Sequence, residues 1–321
     1  MIPAEFPGLA ELARRSRYEA ISVEILPGDV GRRRYVRLGL ADGGCVLGVF
    51  YPPEEEDARR RWLAARAHLG SRVRVPAVYA EDGTGNQILE DFGPEDLASR
   101  LASKPAERSA WLERAVEVAD TIAQIPDPGI NAAFDRDFFF REMDLAREAV
   151  FDLWLGESLD SSEKAAHDGW AASLAREIES HPRVLCHRDF HGNNLFPVAD
   201  GVAAIDFQDL RTGPDAYDLA SLLWERTTLE WMTEETAAAA VARFSELRAQ
   251  DVMEFSRRLD RVLLQRAWKV CGTFARAVSQ GKGPVYRWYL PRELALVRRL
   301  LDRERDGAFR ELFESRLGAL C

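Results

Sequence analysis

The chain changes texture near residue 94, and that change restricts the folds open to it more than any other feature. From Ile21 to Glu90 the apolar residues come in short runs: ISVEIL (21–26), RYVRLGL (34–40), CVLGVFY (45–51) and QILE (87–90). Pro-Gly-Asp, Asp-Gly-Gly and Asp-Gly-Thr-Gly break them, so strands joined by tight turns are expected. One helix interrupts the strands. Pro52 and Pro53 precede the acids 54–57, and Arg59–Arg61 follow, the charge order that a helix dipole favours. Trp62, Leu63 and Leu69 are its expected inward face. From Pro94 onward helical periodicity dominates, over about 107–125, 135–155, 162–180, 215–230, 234–248, 251–280 and 290–304. Only RVLC (183–186), NLFP (194–197) and VAAID (202–206) read as β there. The expected architecture is α+β and bilobal: a small β-rich lobe over 1–93 and a larger, mostly helical lobe over 94–321.

The densest polar cluster is CHRDFHGNNLF, residues 186–196. His187, Arg188, Asp189, His191, Asn193 and Asn194 stand between two apolar β segments, where a purely structural loop gains little from ionisable groups. Twelve residues past Asn194 a second apolar strand delivers Asp206. His187 and His191 have the i, i+4 spacing of a helical zinc site, but Gly192 and two asparagines argue against a helix, and the HExxH glutamate is missing. There is no GxSxG elbow, no GxxxxGK[ST] loop, and Gly83-x-Gly85 lacks the third glycine of a dinucleotide fingerprint. Phosphoryl transfer uses every member of the cluster. It needs an aspartate to accept the acceptor hydroxyl proton and oxygen ligands for magnesium, spaced as in H-R-D-x-x-x-x-N. Asp189 and Asn194 are five apart, and Asp206 ends the next β segment as the second metal ligand.

Charge and cysteine content narrow the surroundings. A net charge of −10 argues against a nucleic-acid footprint, which needs clustered basic surface. Cys45, Cys186, Cys271 and Cys321 form no CxxC pair, as expected for reduced thiols in the cytoplasm. The start lacks an apolar signal core, and VLGVFY (46–51) is far short of the ~20 residues that span a bilayer.

H187-R-D-x-H191-x-x-N194, then I205-D-F, then G213-P-x-x-Y217-D218-L-A-S-L-L resembles the aminoglycoside phosphotransferase-type, protein-kinase-like small-molecule kinases. The resemblance implies a protein-kinase-like fold, ATP and Mg2+. It makes Asp189 the catalytic base, Asn194 and Asp206 the magnesium ligands, and His187, His191 and Asp218 supports of the loop. The segment ILEDFG (88–93) stands where these kinases carry the hinge that meets adenine, so Glu90, Asp91 and Phe92 are expected at ATP. Asp91-Phe92-Gly93 is therefore not the metal-binding Asp-Phe-Gly, which must follow the catalytic loop. A narrower resemblance, carried by 28–38, 52–57, 205–223 and 264–276, is to bacterial cell-wall recycling kinases. Those phosphorylate the anomeric hydroxyl of N-acetylmuramate and N-acetylglucosamine. It implies an amino-sugar substrate met by Gln208, Asp209, Arg211 and Lys269, and a sugar 1-phosphate passed to a nucleotidyltransferase. One departure stands out: the third strand has no lysine for the ATP phosphates. The arginines of GRRRYVR, Arg32, Arg33, Arg34 and Arg37, are the available substitutes. An aminoglycoside or choline kinase, or a nucleotide-binding module without catalysis, remains open on the same residues.

Overall fold

The computed structural model describes residues 2–3, 6, 8–26, 32–229, 231–282, 284–303 and 307–321. The Pro-Gly-Asp turn and the glycines of GDVG lie outside them. The chain forms two compact units, Met1–Ile122 with Gly192–Leu210, and Ala123–His191 with Arg211–Cys321.

The first unit is built on an antiparallel sheet in the order β1-β2-β3-β5-β4. Its strands are β1 (Ala20–Leu26), β2 (Arg34–Leu40), β3 (Cys45–Phe50), β4 (Val78–Glu81) and β5 (Asn86–Glu90). In β2 every second residue turns inward, and Val36 and Leu38 are fully buried. They pack with Leu9 and Leu12 of α1 (Leu9–Arg15), Val46 and Ile88. Each such side chain stabilises the unit by about 1.5–3 kcal/mol. α2 (Glu56–Leu69) buries Trp62, Ala65 and Leu69, spaced along one helical stripe, while Leu63 is half-buried. α3 (Leu97–Ser103) and α4 (Arg108–Ala123) follow. After a long excursion the chain returns as a hairpin, β7 (Leu195–Val198) with β8 (Gly201–Ala204), paired Leu195↔Ala204 to Val198↔Gly201. The Ala204 N–H donates to the Arg74 carbonyl at 2.8 Å and anchors the hairpin.

The second unit is helical around α9 (Val252–Ser279). Against α9 pack α5 (Arg136–Arg147), α6 (Ser161–Glu179), α7 (Tyr217–Leu223), α8 (Glu234–Leu247) and α10 (Pro284–Leu301), and α11 (Gly307–Leu317) packs on α6. Its only ladder among the described residues is β6 (Arg183–Cys186) with β9 (Arg211–Pro214). Trp268, fully buried, has ring contacts with Phe151, His167, Trp170, Phe309 and Phe313.

The helix expected over 135–155 instead ends its α-helical part at Arg147 and continues as wider π-type turns over Glu148–Leu155. The one expected over 215–230 stops at Leu223, because Trp224 turns to φ −124°, ψ 78°. The last one begins at Pro284, six residues early, and carries Pro291 inside. Among the described residues no helix is long and apolar enough to cross a membrane.

Candidate functional site

Within the first unit, one cavity of about 270 Å³ gathers most of the residues singled out for nucleotide and metal. Its walls include Leu89–Gly93, Asn194, Asp206, Arg33 and Arg37, with Leu26, Leu47, Trp62, Phe196 and Ile205 as apolar surface. A flat apolar slot edged by a few polar groups suits a heteroaromatic base with a charged tail. A larger hollow of about 640 Å³, around Arg72, Arg114 and Asp200, has no aromatic side chain in its lining.

The hairpin explains why Asn194 and Asp206 meet. They flank β7 and β8, and the Ile205 N–H donates to the Asn194 carbonyl at 2.9 Å, continuing the ladder past the strands. Asp206 then leaves β8 with φ +61°, a left-handed conformation rare outside glycine and costing on the order of 1–3 kcal/mol. Its Oδ1 accepts from Gln208 Nε2 at 2.8 Å and lies 3.6 Å from Arg33 Nη2. On the other side, Gly192 lies against α3. A Cβ there would stand 2.8 Å from the Ala98 nitrogen. Asn193 Nδ2 donates to Asp96 Oδ2 at 2.9 Å, while Asp96 Oδ1 caps α3 by accepting from Ser99 N. Thus Asn193 fixes the hairpin, and Asn194 and Asp206 carry hard oxygen donors into the cavity. That donor chemistry fits a hard divalent cation.

The segment Leu89–Gly93 is clamped. Arg37 donates through Nε to Asp91 Oδ2 at 2.5 Å and through Nη2 to Asp91 Oδ1 at 3.1 Å and the Gly93 carbonyl at 3.2 Å. The Gly93 N–H donates to Asp91 Oδ1 at 2.8 Å. Asp91 is therefore occupied by backbone and guanidinium. Arg74 hydrogen-bonds Glu90 and stacks over Phe92, its Cζ 5.2 Å from the ring centroid. Of the four arginines expected at phosphate, the cavity lining includes Arg33 and Arg37, and Arg37 is taken up by Asp91. Arg32 is exposed and pairs with Glu54 at 2.9 Å, and Arg34 lies over Phe50.

Asp189 belongs to the second unit, in the loop that leaves β6. Asp218, on α7, accepts the His187 N–H at 2.6 Å and the Arg188 N–H at 3.0 Å. Burial raises the Asp218 carboxyl, with His187 and those two N–H groups opposing. Arg188 has φ +82°, a second left-handed residue beside the motif. The His191 N–H closes the turn onto the Asp189 carbonyl at 3.0 Å. Burial works against ionisation of Asp189, but Lys269, Arg188, Arg266 and His187 outweigh it and hold its carboxyl below the usual range. Arg266, fully buried on α9, donates to Ser221 Oγ at 2.7 Å and stacks on Tyr217, its Cζ 4.5 Å from the centroid. Burial lowers Lys269, with Glu142 opposing, and lowers His191, with Glu225 opposing.

The expected substrate contacts are distributed over both units. Gln208 and Asp209 end the first, with Gln208 held on Asp206. Arg211 opens β9 and lies over Phe134 and Phe138, at 5.2 and 5.6 Å. Sequence reasoning overlooked Arg266 and Asp96, and it grouped Arg37 with the phosphate arginines although its guanidinium is taken up by Asp91. Arg266 lay inside a segment already singled out, but nothing in its letters distinguishes a buried cation from an exposed one.

Residues 22–257 match the pattern of the Phosphotransferase enzyme family. The N-acetylmuramate/N-acetylglucosamine kinase of Neisseria meningitidis serogroup B is 28% identical over 284 residues, 86% of this chain and 84% of that protein. The protein of the same name from Pseudomonas aeruginosa is 28% identical over 296 residues, 88% of this chain and 86% of its own. Among solved structures, ADP-bound aminoglycoside phosphotransferase APH(2'')-Ib superposes with TM-score 0.63 at 13% identity, covering 96% of this chain and 99% of that one. A choline/ethanolamine kinase family protein from Mesorhizobium loti gives TM-score 0.63 at 14% identity, covering 97% and 98%. At these identities the likeness is one of fold, and the fold is α+β and protein-kinase-like.

Proposed function

The chain belongs to the phosphotransferase enzyme family, and from that premise we propose that it is an ATP-dependent kinase of amino sugars. It transfers the γ-phosphoryl group to the anomeric hydroxyl of N-acetylmuramate or N-acetylglucosamine. The observation that carries the phosphoryl-transfer reading is the single cavity holding Asn194 and Asp206 beside the clamped segment Leu89–Gly93. The sugar is supported by the names of the N. meningitidis and P. aeruginosa relatives.

ATP lies in that cavity with its base against the hinge segment. Asn194 and Asp206 would hold Mg2+, which when bound offsets charge on the phosphate oxygens. Asp189 accepts the hydroxyl proton. The cations around it keep it ionised, and Asp218 fixes the loop that presents it, so positioning and charge supply most of the catalysis. Gln208, Asp209, Arg211 and Lys269 meet the sugar. In the cytoplasm, the sugar 1-phosphate would then pass to a nucleotidyltransferase during peptidoglycan recycling.

Asp189→Asn is expected to cut turnover at least a hundredfold while ADP affinity stays within about twofold. Phosphorus NMR of the product, from parallel reactions with N-acetylmuramate, N-acetylglucosamine, kanamycin and choline, tests the substrate. An anomeric phosphate from either amino sugar is expected. Turnover of kanamycin or choline alone, or a 3- or 6-phosphate, overturns the reading.

A further inference from the structure

A kinase of this fold without its strand lysine must neutralise the nucleotide phosphates by other means. The chain has four lysines, Lys104, Lys164, Lys269 and Lys282. Only Lys104 falls in the first unit, and it pairs with Glu95 at 3.2 Å, away from the cavity lining. Among the described residues the lining holds two arginines, Arg33 and Arg37, and no lysine. Arg37 is committed to Asp91, the Gly93 carbonyl and Glu24. Arg33 remains. Its side chain is 18% exposed, its Cζ stands 5.9 Å from the ring centroid of buried Tyr51, and its Nη2 is 3.6 Å from Asp206 Oδ1.

The glutamates that would partner a strand lysine are used elsewhere. Glu54 binds Arg32 at 2.9 Å, and Glu56 binds Arg59 at 2.8 Å and Arg60 at 3.4 Å. The usual lysine–glutamate pair is thus replaced by Arg33 and Asp206, a cation and a carboxylate that face each other across the cavity. At 3.6 Å they are an ion pair without a short hydrogen bond. A guanidinium so placed can turn to phosphate oxygens, for which its fork of donors is well suited.

We propose that Arg33 is the phosphate-binding cation of this cavity, and that it exchanges partners: it neutralises Asp206 in the nucleotide-free protein and turns to the phosphates when a nucleotide enters. Asp206 is then released to the divalent ion. This rests on the reading of the cavity as a nucleotide site. It also separates nucleotide binding from the position of α2, since no α2 glutamate takes part.

The test is calorimetric titration of the full chain with ADP, with adenosine, and with Mn2+ alone. Arg33→Met is expected to weaken ADP at least tenfold, the loss of one charge-assisted contact of about 1.4 kcal/mol or more, and to leave adenosine within twofold. Mn2+ alone should bind more tightly to the variant, because Asp206 has lost its cation. Arg60→Met, which removes an exposed arginine from α2, should change none of the three affinities. ADP within twofold of the wild-type value overturns the proposal, as does a parallel loss of ADP and adenosine, which would make Arg33 a wall of the cavity. Unchanged Mn2+ affinity overturns the exchange of partners. If the wild-type chain binds no ADP at all, the nucleotide-site reading itself fails.

Discussion

Asp91 and Asp206 stand in the wall of one cavity and do different work because their neighbours differ. Asp91 is enclosed by Arg37 and the Gly93 N–H of its own turn, whereas Asp206 is aligned by a hairpin with Asn194 and faces one arginine at longer range. Asp91→Ala is therefore expected to lower unfolding free energy by about 1–3 kcal/mol and to keep metal-dependent turnover, because it removes a part-buried charge-assisted clamp. Asp206→Ala should abolish that turnover with little effect on stability. Urea unfolding and ADP release, measured on both variants, separate the two. Abolished turnover in Asp91→Ala with activity retained in Asp206→Ala would reverse the assignment. The order of the motifs already pointed this way, since Asp91 precedes the HRD cluster. Arg33 could not be picked out from Arg32, Arg34 and Arg37, because alternation along a strand gives a face and not a partner.

At the scale of elements, the strands with clear apolar alternation were legible, and β2 and β6 occupy the residues expected. β9 was not. Arg-Thr-Gly-Pro has no alternation, and it is a strand because β6 offers a ladder from Arg183↔Pro214 to Cys186↔Arg211. α3 was missed because seven residues carry too little periodicity, and its stability comes from the Asp96 cap and from the hairpin packed on it. That packing makes Gly192 decisive. Gly192→Ala must push α3 and the hairpin apart, at about 1–3 kcal/mol, and it should weaken ADP binding through the shift of Asn194. Thermal unfolding and ADP titration read the two effects. A variant with wild-type values in both would show that the contact relaxes freely. Between α6 and β6, burial pushes His181 down to about 4, with Asp215 opposing and Arg258, Arg261 and Arg183 reinforcing. An unfolded histidine protonates near 6.5. Between those values the unfolded chain binds the extra proton, so stability falls as pH drops from about 6.5 toward 4. His181→Asn should flatten the melting temperature over that window relative to the wild type. An unchanged slope would assign the loss to other groups.

At the scale of the whole molecule, each unit buries apolar residues of its own. In the second, Trp268 joins α9 to α6 and α11 through its ring contacts and donates Nε1–H to the Met143 carbonyl of α5 at 3.1 Å. Trp268→Ala should cost about 3–5 kcal/mol, read as a lower urea midpoint in circular dichroism. A shift under about 1 kcal/mol would mean that the surrounding rings close the cavity. The division into a β-rich and a helical part was legible from texture, yet texture could not show that 192–210 returns to the unit begun by 1–122. The letters of that return, NLFP and VAAID, read as local β, and their destination depends on contacts more than a hundred residues away.

That return has a consequence in time. A ribosome adding ~5–20 residues each second releases Asp206 roughly 4–17 s after Ile122. Throughout that interval the nascent sheet and its helices have no hairpin to cover, and Arg33 has no carboxylate to face. The cavity beside Leu89–Gly93 is thus completed only when the last segment of its own unit is made. A message broken between codons 94 and 191 yields a chain that has Leu89–Gly93 and lacks Asn194 and Asp206.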